Sequence, residues 1–114
     1  MRKFAATLAG ILAMGAMLGA QAAKVEAGKA AFTAQKCGTC HKVGDVGGKL
    51  ASDLSTVGAK LSDGDIRNWL TKTADMEAKL ATKPKAPMSG YMKTHKLTDA
   101  DVDALAAYLG SLKK

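Results

Sequence analysis

Five consecutive residues restrict this chain more than all the others: Cys37-Gly38-Thr39-Cys40-His41. Two cysteines three apart, with a histidine directly after the second, form the spacing by which a polypeptide attaches haem covalently. In a helical turn the three side chains project from one face. Each thiol can then add to one vinyl group while the imidazole reaches the iron. Other readings of C-x-x-C lack their surroundings. A thioredoxin-like pair needs a preceding strand in a βαβ unit, whereas Ala30 to Gln35 reads as helix. A zinc site needs a further pair of Cys or His ligands, and outside the motif the sequence offers only His95.

The start of the chain reads as an address for export. Arg2 and Lys3 give a positive start, Phe4 to Leu18 is a run of small and apolar residues, and Ala20-Gln21-Ala22 has the small-x-small pattern of a cleavage site. Residues 1–22 are therefore expected to be a cleaved signal peptide and residues 23–114 a single domain in the bacterial periplasm. A retained membrane anchor is the weaker reading. The run is short of the roughly 20 apolar residues a spanning helix needs, and Gly10, Gly15 and Gly19 interrupt it.

Cleavage of 22 residues from 114 leaves 92, enough for one domain with a thin core. Phe32, Trp69, Tyr91 and Tyr108 are its only aromatic residues. A scaffold this small usually needs a staple or cofactor to fill its interior, and a planar apolar macrocycle would serve. Of the 17 Lys and Arg residues, Arg2 and Lys3 leave with the signal, so 15 face 10 Asp and Glu. The surplus points to acidic or anionic partners. Nucleic acid is excluded as a partner by export and by the lack of a basic run interleaved with aromatic residues.

Val25 to Gln35 is alanine-rich and free of proline, and reads as a first helix delivering the chain to Cys37. From Val43 to Lys60 the glycines 44, 47, 48 and 58 interrupt every period, so a loop with little regular structure is expected. Ser62 and Asp65 form a capping pattern before Ile66, Trp69 and Leu70, marking a middle helix that ends between Lys72 and Asp75. Pro84 and Pro87 hold the next stretch extended. Thr98 and Asp101 repeat the capping pattern, and Val102, Leu105, Ala106, Leu109 and Leu112 make one apolar stripe on a final helix. The expected fold is all-α, three to four helices around a central object.

An iron held by one histidine has a sixth position whose occupant decides its chemistry. Met76, Met88, Met92 and His95 are the candidates. A thioether favours ferrous iron and raises the potential, as suits electron transfer. Met88 has the best context, because Pro87 stiffens its approach and Lys83 to Tyr91 reads as a loop able to cross the face opposite His41. Met92, four residues on, is its rival. His95, beside Lys96, reads as a surface residue.

These pieces together resemble the class I c-type cytochromes over nearly all of the expected mature chain. The matching segments are Gly28-x-x-x-Phe32, the Cys37 to His41 motif, Asp53-Leu54-Ser55-Thr56-Val57-Gly58, Ala86-Pro87-Met88, Leu97-Thr98-Asp99 and Ala104-Leu105-Ala106-Ala107-Tyr108-Leu109. The resemblance implies one covalently bound haem c, with Cys37 and Cys40 in thioether bonds and His41 and Met88 as axial iron ligands. It also implies that the first and last helices cross, with Gly28 and Phe32 against Tyr108 and Leu109, and that Trp69 packs near the haem. One departure stands out: Ala51-Ser52 replaces the Gly-Pro whose proline carbonyl orients the proximal imidazole in many members. The implied function is electron transfer by a monomer to redox protein partners with acidic docking surfaces, not enzymatic catalysis. Two alternatives remain: a haem subunit of a larger redox complex, and a peroxidase or gas binder with a displaceable sixth ligand.

Overall fold

The computed structural model describes residues 19–114, and its C-terminal helix organises the rest. Helix α6 spans Asp99–Ser111. It starts where the sequence says it should. The Thr98 hydroxyl accepts from the Asp101 N–H, and the Asp101 carboxylate accepts from the Thr98 N–H, both at 3.1 Å. The reciprocal pair satisfies two of the donors that a helix start otherwise leaves free. Val102, Leu105, Ala106 and Leu109 of the expected stripe are buried, joined by Ala104 and Tyr108. Leu112 is partly buried at the edge of the same cluster.

Three elements cover α6. Helix α3, Asp63–Thr71, begins with the Ser62 hydroxyl accepting from the Asp65 N–H and lays Ile66 and Leu70 into the core. On its outer side Arg67 pairs with Asp63 and with Asp103 of α6. Helix α2, Val57–Lys60, is a single turn whose Gly58 donates its N–H to the Leu112 carbonyl at 2.8 Å. The third is α1, helical over residues 19–34. It crosses α6 at Gly28, where backbone meets backbone: a Cβ at this position would lie 2.0 Å from the Ala104 carbonyl oxygen and 2.5 Å from Tyr108 Cβ. Phe32, one turn on, meets Tyr108 edge to face with ring centroids 5.8 Å apart. The expected crossing is thus present through Tyr108, while Leu109 turns its backbone toward Gly58 instead.

The all-α class holds, and the departures are local. Val43 to Lys60 contains more order than its glycines suggested. Strands β1 (Lys42–Val43) and β2 (Val46–Gly47) pair antiparallel, with Lys42 opposite Gly47 and Val43 opposite Val46. The glycines make this ribbon rather than break it, since Gly44 and Gly47 take positive φ values of 62° and 121°. The middle helix ends at Thr71, and a separate helix α4, Thr73–Ala78, follows at once. The stretch expected to be a loop through Tyr91 becomes helix α5, Met88–Thr94, directly after Pro87. Most of the expected signal, residues 1–18, lies outside the described residues; residues 19–22 are helical and exposed. Among the described residues no helix is long and apolar enough to cross a membrane.

Candidate functional site

The Cys37 to His41 segment is set by a reversal at the end of α1. Lys36 takes the left-handed conformation, φ 56° and ψ 32°, which a non-glycine residue adopts at a cost of about 1–2 kcal/mol. The chain leaves it as a tight turn over Cys37–Thr39, and the His41 N–H bonds the Cys37 carbonyl at 3.0 Å. The two cysteines and His41 are each half-buried on this turn. Both thiols are free. Burial pushes the Cys37 thiol above its ordinary value. A disulfide oxidoreductase needs the opposite, a thiolate stabilised near neutral pH.

A second layer of backbone is stitched onto the turn. The Gly48 N–H donates to the Gly38 carbonyl at 2.8 Å, Ala51 to Cys40 at 3.0 Å and Leu54 to Lys42 at 2.8 Å. Glycine is required for this approach, since a Cβ at Gly48 would fall 2.0 Å from the Thr39 carbonyl oxygen. The layer delivers the Ser52 carbonyl to 2.8 Å from His41 Nδ1. A carbonyl oxygen can only accept, so Nδ1 carries the hydrogen and the lone pair of the neutral ring lies on Nε2. That tautomer can ligate a metal, and such a partner both fixes the ring and raises its basicity. The Ser52 carbonyl thus stands where the resemblance puts the proline carbonyl, without a proline ring to stiffen it.

Stiffness comes instead from a polar lock. The Asp53 carboxylate accepts from the N–H and the hydroxyl of Ser55, and the Gly44 N–H donates to Ser55 Oγ at 2.8 Å. The lock joins the tip of the β-ribbon to the segment bearing Ser52. The Ser55 hydroxyl, then its N–H, holds the Asp53 carboxyl below the usual carboxylate range.

Helix α5 supplies the other side chains of interest. Met88, its first residue, is partly buried and packs against the core. Met92 lies one turn further on and is also half-buried, as is Met76 on α4. Tyr91 ties α5 to the attachment segment, its hydroxyl donating to the carbonyl of Gln35, two residues before Cys37. Burial, followed by the nearby sulfurs of Cys37 and Cys40, pushes that hydroxyl's pKa up. His95 is not the free surface residue its neighbours suggested. Its ring stacks on Tyr91 at a centroid distance of 3.7 Å and an interplanar angle of 2°, and its Nδ1 lies 3.1 Å from the Tyr91 carbonyl. Trp69 is half-buried on α3, and its carbonyl accepts from the Thr73 hydroxyl at 2.7 Å.

One important residue was absent from the sequence reading. Glu77 of α4 is only 9% exposed. Its two carboxylate oxygens accept from the N–H and the hydroxyl of Ser89, at 2.8 and 2.7 Å. The Ser89 hydroxyl is the main cause holding the Glu77 carboxyl below its ordinary value, and the Met88 N–H adds to it. Within Asp75-Met76-Glu77-Ala78-Lys79 the sequence pattern reads as a solvated charged face, and nothing local distinguishes Glu77.

The family model for cytochrome c matches residues 25–113. The chain belongs to the cytochrome c family. No curated protein and no solved structure matches it. As a cytochrome c it carries covalently bound haem c with its iron, and its family role is haem-based electron transfer. The donor set suits such a group: two free thiols on one turn, an imidazole whose tautomer leaves Nε2 as donor, and soft thioethers on a helix tied to the same turn. Among the described residues no group of three or more His, Cys, Asp or Glu could hold a separate metal ion.

Proposed function

We propose that this cytochrome is an exported electron carrier of the bacterial periplasm. Cys37 and Cys40 hold the haem by thioether bonds, His41 ligates the iron through Nε2, and Met88 is the sixth ligand. The bound haem supplies a one-electron couple between ferric and ferrous iron. The protein's share is to keep both ligands fixed, so that little rearranges when the electron moves.

The observation that carries this reading is the His41 Nδ1 to Ser52 carbonyl bond at 2.8 Å. It fixes the proximal imidazole in a ligating tautomer, with a partner a metal-bound histidine needs. On the other side, the start of α5 at Met88 and the link from Tyr91 to Gln35 support a thioether held near the attachment turn. Arg2, Lys3 and the apolar run that follows support export, and so does covalent haem attachment itself. Lys36, Lys83, Lys85, Lys93 and Lys96 are exposed around the attachment segment and α5, and Lys42 is half-exposed, which fits redox partners with acidic docking surfaces. The carrier is expected to act as a monomer.

The visible spectrum of the oxidised protein tests the ligand set. Methionine bound to ferric iron gives a charge-transfer band at the red edge. The band is expected in the wild type and in Met92→Ala, and its loss is expected in Met88→Ala. A high-spin ferric spectrum in the wild type would refute a filled sixth site and favour a gas binder or peroxidase.

A further inference from the structure

The segment leading to Met88 has little to hold it. Residues 81–87 are exposed, and Pro84 and Pro87 cannot donate backbone hydrogen bonds. Helix α5 has seven residues, too few to be stable alone. Its sequence is poor for a helix, with Ser89 and Gly90 in the first turn. Its N-cap is Pro87, which offers no side-chain cap. Yet the helix begins at a defined residue, so something outside it fixes its start.

That fixing point is the buried Glu77 carboxylate. Burying a charge is costly unless it is paired or hydrogen-bonded, and both groups that hydrogen-bond this carboxylate lie at the start of α5: the Ser89 N–H and the Ser89 hydroxyl. Glu77 is itself held. Thr73, on the same short helix and equally buried, donates to the Trp69 carbonyl and so fastens α4 to α3, whose Ile66 and Leu70 sit in the core. A continuous path therefore runs from the core through α3, Thr73 and Glu77 to the backbone and hydroxyl of Ser89, the residue next to Met88. The Glu77 carboxylate does not reach Met92, one turn away; the tie nearest to Met92 is the Tyr91 hydroxyl on the Gln35 carbonyl.

We infer that Glu77 is the positioning residue of the distal side: its carboxylate clamps the first turn of α5 and thereby holds the Met88 thioether in place against the iron. The inference rests on Met88 as sixth ligand, and its test separates the two. Without the clamp the proline loop and the first turn of α5 open more often, and an external ligand competes more easily for the sixth position. Loss of hydrogen bonds to a charged group of this kind corresponds to roughly a tenfold to hundredfold change in that competition.

The test uses the ferric holoprotein and titrates imidazole, following replacement of the sixth ligand by the visible spectrum and unfolding by circular dichroism. In Glu77→Ala imidazole is expected to bind roughly tenfold to hundredfold more tightly than in the wild type. Glu77→Gln, whose amide can still accept from the Ser89 N–H and hydrogen-bond its hydroxyl, should return most of the wild-type resistance. Ser89→Ala, which keeps its own N–H, should show a smaller effect and guards against misfolding of the Glu77 variants. Arg67→Ala, which loosens the α3 to α6 surface pairing, is the control: it lowers the melting temperature but leaves imidazole affinity unchanged. If the methionine band disappears in Met88→Ala while Glu77→Ala and Ser89→Ala bind imidazole as the wild type does, the role of Glu77 is overturned and the ligand assignment stands. If the band survives in Met88→Ala, the ligand assignment fails and the clamp on it fails too.

Discussion

Replacing Gly28 by alanine would ordinarily strengthen a helix, by about 1 kcal/mol. Here the opposite is expected, and the size can be worked from the crossing. The added Cβ would lie 2.0 Å from the Ala104 carbonyl oxygen, 2.7 Å from its carbon and 2.5 Å from Tyr108 Cβ. None of these atoms is the end of a flexible side chain, so relief requires α1 and α6 to move apart by roughly an ångström or more. Overpacking of this kind costs about 1–3 kcal/mol, and because backbone must move the upper part of that range applies. Separation also weakens the edge-to-face contact of Phe32 with Tyr108, worth about 0.5–1.5 kcal/mol. Against these stands only the propensity gain. The net is a loss of about 2 kcal/mol, which for a domain of this size lowers the melting temperature by roughly 10 °C. Thermal unfolding of the holoprotein, followed at a helix band, measures it. Gly110→Ala on α6, where a Cβ would meet nothing within 4 Å, is the matched control and should be neutral or stabilising. A Gly28→Ala protein as stable as the wild type would refute the close crossing.

Further outcomes follow from the site and the surface. Ser55→Ala removes the acceptor of the Gly44 N–H and two donors to Asp53 are reduced to one; a stability loss of about 1 kcal/mol is expected in denaturant unfolding. Asp103 is held below the usual carboxylate value, first by its hydrogen bond with Arg67. Its contribution is therefore present above the unfolded value of about 4 and is lost as the pH falls through the lower folded value. Denaturant midpoints recorded from neutral to acid pH should fall less steeply in Asp103→Asn, the two proteins converging at the acid end. Electron exchange with an acidic redox partner should slow steeply as salt is added; a flat response in stopped-flow would remove the steering role of the lysines.

The sequence was most legible where a local rule and the tertiary structure agree. Thr98 and Asp101 announce α6 by capping chemistry, and its apolar stripe is the face that becomes buried. Gly28 and Phe32, recognised through family resemblance, meet Tyr108 as expected. Legibility failed where structure depends on contacts distant in sequence. The β-ribbon is too short to show alternation, and its glycines read as breaks although their positive φ values are what close it. Helix α5 has a sequence that does not favour a helix, and it exists where a buried carboxylate twelve residues before Ser89 holds its first turn. Conversely, the Ser52 carbonyl could be placed by analogy with the absent proline, but the lock that steadies it joins Gly44 to Ser55 across a loop.

The crossing at Gly28 also governs the order of events in the life of the chain. Helix α1 packs on α6, so its partner is a helix far later in the sequence. A chain emerging from its N-terminal end has synthesised Cys37, Cys40 and His41 long before the core that shelters them can close. During that interval the turn bearing the thiols is not yet covered, and the Ser52 layer has no finished scaffold to rest on. For an exported chain, haem attachment thus has a natural window before α1 and α6 dock, and that docking closes it.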